Sequence, residues 1–434
     1  MPQKLLNNKL SIQDLSLDGK RVLLRQAFWL LVDFNVPIKD GIIADTARIQ
    51  RMLPTIDYTF QQKAHAIIIM SHLKRPHGKV ESKYSLAPVA AELQTLLPNR
   101  RVRFLNNCVG PDIEEACQSC DKGDVILLEN LRFHPEEEGL LPKDEQGQRK
   151  STSKNANKKF CASLSRLADL YVDDALSTMH RSHASITGVN LPFKAAGLLL
   201  QQELEVFAKL LDQNHNSSSN TPFLAILGGA KLSPKYKLIT HLLTKVDTMI
   251  ICGALAWPFL NMGDDKEQDL ASQIMAMATE KHVKMVLPVD FVTASDHNPV
   301  PAKMALATVA DAQQQQGDAD PLGGMLGLDC GPASSALFEQ EIMKHQTILW
   351  NGAPGVYEYQ QHFSQGTRHL LDAISKATAD NGAMSVVCGK DTTALVAKWS
   401  YQGRLSHVSS GGNASLELLE GNSLPGLAAL SLKR

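Results

Sequence analysis

The feature that most constrains this chain is a recurring order of segments: a short run rich in Ile, Val and Leu, a polar or glycine-bearing turn, then a stretch with apolar residues three and four apart. Short unbroken apolar runs suit strands buried on both faces, and the helical stretches between them supply the cover. The order therefore predicts an α/β fold of doubly wound parallel sheets. In the first half strands are expected at AIIIM (66–70), VRF (102–104), VILLEN (125–130) and LYVDD (170–174). In the second half they are expected at FLAIL (223–227), TMIIC (248–252), VKMVLPV (283–289), TILWN (347–351), AMSVVC (383–388) and SHVSS (406–410). The start is doubled: in RVLLRQAFWLLVDFNVPIKDG either VLL or AFWLLV suits a strand.

A chain of 434 residues exceeds one ordinary core, so two Rossmann-like domains are expected, at 1–200 and 201–423. The amphipathic stretch GLLLQQELEVFAKLLDQ (197–213) reads as a helix that hinges them. Polar tracts at 143–159, 212–220 and 313–316 read as surface loops. With 44 Lys+Arg against 45 Asp+Glu, the net charge of -1 gives no global field for nucleic acid or an anionic membrane. The start lacks the apolar core of a secretory signal and no run is long enough to span a membrane, so a cytoplasmic protein is expected. Seven scattered cysteines suit reduced thiols, and the Cys117/Cys120 pair reads as packing on one face of a short helix.

In such sheets ligands sit beyond the carboxyl ends of the strands. Those positions in the first half are cationic: His72 and Arg75 after AIIIM, Arg132 after VILLEN, and His180, Arg181 and His183 after LYVDD, with Arg48 in DTARIQ. Guanidinium forks bind phosphate and carboxylate bidentately, so the set describes a pocket for a small, multiply anionic ligand. A network of salt bridges is the bland alternative. In the second half the strand ends carry glycines instead. Gly228 and Gly229 open a turn with Lys231 and Lys235 beside it, Asn351 and Glu358 follow TILW, Asp391 and Thr392 open a helix, and Gly411 and Gly412 open another. Backbone N–H groups at such turns, with a lysine pair and one carboxylate, suit nucleotide phosphates and Mg²⁺. There is no G-x-G-x-x-G and no serine elbow, so hydride transfer and acyl hydrolysis lose their support. Phosphoryl transfer between an anionic half and a nucleotide half remains.

The segments VDFNVPIKDG, MSHLKRP, KYSLAPVA, ILLENLRFHPEEEG, HRSHAS, FLAILGGAK, LPVDFVTA, WNGAPGVYE and SSGGNASLELLEG, in this order, resemble phosphoglycerate kinase of the eukaryotic type along almost the whole chain. The resemblance implies that Asp33, Asn35, Arg48, His72, Arg75, Arg132 and Arg181 hold 3-phosphoglycerate or 1,3-bisphosphoglycerate. It implies that Gly229, Lys231, Lys235, Asn351, Glu358, Gly389, Asp391 and Thr392 hold ADP or ATP, with Asp391 on Mg²⁺. Arg48, Lys231, Gly411 and Gly412 would serve the transfer itself, after hinge closure. A monomer, and a tail at 424–434 that returns to the first domain, are implied in the same way.

Several positions depart from the family pattern. QAFWLL (26–31) separates Arg25 from the Val32-Asp33-Phe34-Asn35 that the family joins to it directly. Six is even, so AFWLLV could take the strand's place without reversing which side chains face inward; an error or splice variant in the gene model is the other reading. Family glycines are replaced at Lys74, Cys252, Ala254, Cys388, Lys390 and Asn413, and about ten family residues are missing after FLNMG. Side chains at such turns tend to obstruct a phosphate. Two readings stay open: an active kinase, or a kinase-like protein whose catalysis is weak or lost and which is kept for binding.

Overall fold

The computed structural model describes residues 8–26, 47–144, 147–212, 221–262, 264–295, 304–309, 326–357 and 361–433. The chain forms two compact units, Met1–Glu205 with Ser423–Arg434, and Val206–Asn422. The first division falls inside the helix Leu198–Asp212, the amphipathic stretch noted above.

The first unit is built on a six-stranded parallel sheet of order β3-β4-β2-β1-β5-β6. Its strands are β1 (Arg21–Arg25), β2 (Ala66–Met70), β3 (Val102–Leu105), β4 (Val125–Leu128), β5 (Leu170–Asp173) and β6 (Lys194–Ala196). Every residue of β2, β4 and β5 is buried, which is why they read as unbroken apolar runs. Ile49, Met52 and Leu93, from the helices Ala47–Gln61 and Ala87–Leu96, pack with Leu24, Ile67 and Leu127 of the sheet in one core.

The doubled run at the start resolves in favour of its upstream half. Arg21 to Arg25 pairs in register with Ala66 to Met70 on one side, and Val22 to Arg25 with Leu170 to Asp173 on the other. The strand between β2 and β5 is thus RVLLR, whereas the shift considered above gave that place to AFWLLV, which lies outside the described residues. The pairing of VLLR with two central neighbours buries it on both faces, and the Gln26 N–H continues the ladder to the Met70 carbonyl at 3.0 Å. The inserted residues after Gln26, with Asp33 and Asn35, lie outside the described residues.

Residues 423–433 return to the first unit. Lys9 and Leu432 form an antiparallel bridge, the Leu10 N–H donates to Ser431 O at 2.8 Å, and Lys9 Nζ donates to Leu430 O at 2.8 Å.

The second unit holds a parallel sheet of order β15-β14-β13-β7-β8-β9. Its strands are β7 (Phe223–Leu227), β8 (Thr248–Ile251), β9 (Lys284–Val286), β13 (Thr347–Asn351), β14 (Met384–Val387) and β15 (His407–Val408). A second, antiparallel sheet of order β11-β10-β12 joins β10 (Asp290–Ala294), β11 (Met304–Thr308) and β12 (Leu326–Cys330). Here the sequence reading needs correction: VKMVLPV is not one strand. It ends as a parallel strand at Val286, Pro288 interrupts it, and the chain enters β10 in the other sheet.

Cys117 lies in the helix Pro111–Gln118 but Cys120 lies beyond its end, so the pair does not share a helix face as expected. All seven cysteines are free, and burial pushes the Cys117 thiol up to about 12. Among the described residues no helix is long and apolar enough to cross a membrane.

Candidate active-site residues in each unit

In the first unit the central strands β4, β2, β1 and β5 are parallel, so their carboxyl ends share one edge, and the expected cations follow there. Arg25, the last residue of β1, is fully buried. Its Nε donates to Ser185 Oγ at 3.0 Å, its Nη2 to His72 Nδ1 at 3.0 Å, and its Nη1 to the Gln26 carbonyl. Ser185 in turn donates through N and Oγ to the fully buried Glu137, at 2.9 and 2.7 Å. His72 is buried in this network, and desolvation followed by the charge of Arg132 holds its ring well below the usual histidine range.

Arg132 is set by the turn after β4. Asn130 Oδ1 accepts from the Arg132 N–H at 3.0 Å while Nδ2 donates to Leu73 O at 2.8 Å and Tyr84 O at 2.9 Å, tying this turn to the one after β2. The Arg132 side chain donates to Lys74 O at 2.7 Å and lies 3.3 Å from Glu138. Burial lowers it to about 10, so it stays charged at neutral pH. Lys74 presents that carbonyl from a left-handed backbone, φ +56°, where the family has glycine. Arg75 and Arg181 are exposed and make no ion pair among the described residues. The salt-bridge alternative thus accounts for part of Arg132 but not for these two.

His180 and His183 sit on the segment after β5, with ring pKa values pushed down to about 4 and about 3, first by burial and then by neighbouring arginines. Asp173, which ends β5, accepts from Tyr171 Oη at 2.6 Å, and burial raises it to about 6. Arg48 belongs to the helix Ala47–Gln61, but its side chain, like Asp33 and Asn35, is outside the described residues.

In the second unit β14, β13, β7 and β8 end at glycine turns. A Cβ on Gly228 would meet the carbonyls of Gly352 and Ala353, so this turn and the one after β13 approach each other as backbone. Lys235 lies under both: its Nζ donates to Gly228 O at 2.5 Å, Asn351 O at 3.2 Å and Asn351 Oδ1 at 2.7 Å, and burial lowers its pKa. Asn351 Nδ2 donates to Cys388 O at 3.0 Å, and Thr392 Oγ1 accepts from the Gly352 N–H at 2.7 Å. Asn351, Thr392, Lys235 and Gly389 are thus brought together. Gly229, with φ +136°, stands next to the Lys235 stem.

Lys231 is exposed and makes no side-chain hydrogen bond or ion pair among the described residues. Asp391 is exposed in the first turn of the helix Lys390–Lys398, and its carboxylate is likewise unpaired there, while its charge faces Lys235. A single open carboxylate at a helix N-terminus fits a Mg²⁺ ion shared with phosphates, since that ion keeps few protein ligands. Gly411 and Gly412 follow β15, where the Gly411 N–H donates to Ser409 Oγ at 3.1 Å and Gly412 has φ +54°. Glu358 is outside the described residues. Of the substituted positions at these turns, Cys252 and Cys388 are fully buried and Lys390 is exposed.

Sequence reasoning missed Arg25, Ser185 and Glu137. Arg25 closes an apolar run inside which a charge is out of place, and that was the available signal.

The sequence model of the family described as phosphoglycerate kinase matches residues 12–422. The chain is 49% identical to phosphoglycerate kinase 1 of Rhizopus niveus, over 99% of both chains. It is 45% identical to phosphoglycerate kinase 1 of Sus scrofa, over 98% of this chain and 99% of that one. Among solved structures, phosphoglycerate kinase from Coxiella burnetii superposes with a TM-score of 0.76 at 33% identity, covering 97% of this chain and 98% of that one.

Proposed function

We propose, from the premise that this chain belongs to the phosphoglycerate kinase family, how its residues divide the family's reaction. The activity is phosphoglycerate kinase: reversible transfer of the acyl phosphate of 1,3-bisphosphoglycerate to ADP, giving 3-phosphoglycerate and ATP. The observation that carries the reading is the contrast between the two sheets, one with His72, Arg75, Arg132 and Arg181 beyond its strand ends and the other with glycine turns around Lys235 and Asn351.

The phosphoglycerate is held by Asp33, Asn35, Arg48, His72, Arg75, Arg132 and Arg181. The nucleotide is held by backbone N–H groups at Gly229 and Gly389, by Lys231, Asn351, Glu358 and Thr392, and by turns that Lys235 keeps in place. Arg48, Lys231 and the N–H groups of Gly411 and Gly412 stabilise the charge of the phosphoryl group in flight, since in-line transfer needs positioning and charge stabilisation rather than a covalent intermediate. Asp391 would hold Mg²⁺, which when bound neutralises phosphate charge. We extend the proposal to a cytoplasmic monomer, supported by the resemblance and the balanced charge.

The test is ATP formation from 1,3-bisphosphoglycerate and MgADP by the intact chain, with Lys231→Ala beside it. Loss of about 10² to 10³ in turnover with an unchanged circular dichroism spectrum is expected. An inactive intact chain would sink the reading, and an unchanged kcat in the variant would remove Lys231 from it.

A further inference from the structure

The candidate substrate residues of the first unit follow the carboxyl ends of its strands, and the opposite, amino ends carry a second concentration of charge. The turns that enter β1, β2, β3 and β4 are hydrogen-bonded to one another. The Gly19 N–H donates to Lys63 O at 3.0 Å, the His65 N–H to Lys20 O at 2.8 Å, the Gly123 N–H to His65 O at 2.7 Å and the Val125 N–H to Arg101 O at 3.0 Å. Since β3, β4, β2 and β1 are adjacent in the sheet, these turns form one continuous rim. Ion pairs account for part of its charge: Arg101 with Asp121 at 3.0 Å, Arg103 with Asp124 at 3.4 Å and Arg21 with Asp169 at 2.9 Å. Lys20, Lys63 and Lys122 are exposed and make no side-chain hydrogen bond or ion pair among the described residues. Arg100 is spent on an aromatic face, 3.6 Å from the centre of the Phe60 ring. Against these cations the same turns leave Asp18 as the unpaired anion among the described residues.

At one end the rim runs into a cavity of about 810 Å³. Its wall comes from the first turns of the chain, the starts of β5 and β6 and the returning tail, and includes Leu15, Phe193 and Leu432. Phe193 keeps 40% exposure and Leu432 53%, although the Tyr171 N–H holds Phe193 O at 3.2 Å and Leu432 is bridged to Lys9. Single exposed apolar residues are ordinary, whereas two in the wall of one cavity mark a place for an apolar group. The charged groups of the wall are paired, Asp14 with Lys433 at 3.1 Å and Asp169 with Arg21, except for Lys20. Lys20 thus belongs to both the cavity and the cationic rim.

We propose that the amino edge of the first sheet binds an acidic segment of a partner protein: a run of Asp or Glu lies across Lys20, Lys63 and Lys122, and an adjoining large apolar side chain sits in the cavity beside Lys20. Neighbouring strands lie about 4.8 Å apart, so the four turns span roughly 15 Å, the reach of about five residues of extended chain. A cavity of this size buries a drug-sized ligand and has room for a leucine or phenylalanine of the partner. The carboxylates steer encounter and select against basic partners, while the buried apolar group slows dissociation. Single-stranded nucleic acid fits less well, because bases need open aromatic faces and that of Phe60 is covered by Arg100. A bilayer fits less well too, since Phe193 and Leu432 line a concavity that admits a protruding side chain. The surface is at the other end of the strands from His72 and Arg132, so docking leaves the substrate residues of this unit uncovered.

The probe is a fluorescein-labelled peptide with a run of about five glutamates flanked at both ends by leucine and phenylalanine, titrated with the intact protein and read by fluorescence anisotropy. A Kd of about 10 μM at ~50 mM salt is expected, weakening about fivefold or more at ~300 mM. Serines in place of the glutamates, or alanines in place of the apolar ends, are each expected to cost about tenfold. In the protein, Lys20→Glu and Lys63→Glu, on separate turns, should each weaken binding about fivefold and Phe193→Ala about tenfold. Kinase turnover and the circular dichroism spectrum should not change in these variants. The unaltered protein gives a readout without substitution: the amide resonances of Lys20, Lys63 and Phe193 shift on titration, and those of His72 and Arg132 do not. Failure of the peptide to bind, equal binding of the alanine-ended peptide, or unaltered binding by Lys20→Glu and Phe193→Ala overturns the inference. So does tighter binding of an oligothymidylate, or of vesicles of phosphatidylcholine and phosphatidylserine, than of the peptide.

Discussion

Asn351 braces Lys235: its Oδ1 accepts from Nζ at 2.7 Å, while its own Nδ2 donates to the Cys388 carbonyl at 3.0 Å. One amide thereby joins the turns after β13 and β14 through the lysine that also holds Gly228. All of the lysine's donors are spent on this bracing, so its contribution to a nucleotide is the shape of the turns as much as its charge.

A Cβ at Gly389 would collide with Asn351 Nδ2, and the backbone there has φ +90°. Gly389→Ala is expected to weaken ADP binding about tenfold or more by displacing the brace. Binding of 3-phosphoglycerate should be unchanged. Calorimetry with each ligand in turn checks it, and an unaltered ADP affinity would place the brace outside the nucleotide site.

Lys74 occupies a left-handed backbone that an L side chain disfavours. Lys74→Gly removes that strain, keeps the carbonyl that Arg132 uses, and is expected to stabilise the protein by up to about 1 kcal/mol. The urea midpoint should rise with the slope unchanged. A lower midpoint would mean that contacts of the lysine side chain outweigh the strain.

Asp329 is buried where it accepts from the N–H groups of Gly366 at 2.7 Å and Cys330 at 2.9 Å, and burial raises its pKa from 3.8 to about 7. A folded-state acid with a raised pKa holds a proton that the unfolded chain has released, so its share of stability falls as pH rises from about 4 to about 7. Asp329→Asn should flatten the dependence of thermal stability on pH across that window. It should also cost about 1–3 kcal/mol, because an amide can accept at only one of the two positions. A slope as steep as that of the unaltered chain would assign the pH dependence elsewhere, Asp173 being the next candidate.

The parallel strands were legible because burial on both faces leaves a continuous apolar run, as in AIIIM and FLAIL. The residues after them were legible because parallel strands deliver their ends to one edge. The antiparallel sheet was not, since DFVTA follows VKMVLP without a turn signature other than Pro288, and its partners lie far along the chain. Nor could periodicity choose between VLL and AFWLLV, which fit a strand equally well. Only pairing with β2 and β5 decides that. Glu137 read as one of three glutamates in EEEG, and nothing local separates the one that the fold buries beneath Ser185 from its partly buried neighbours. Lys235 was legible as a cation near a glycine turn, but its commitment to three oxygens depends on a strand 116 residues away.

The bridge between Lys9 and Leu432 has a consequence for how the protein is made. Residues 423–433 are translated after the whole of the second unit, yet they supply backbone partners to Lys9, Leu10 and Lys194 of the first. On the ribosome the second unit can therefore be complete while the first still waits for its closing segment. A circular permutant opened elsewhere in the first unit, with positions 8 and 433 bridged by a short linker, would deliver that segment early.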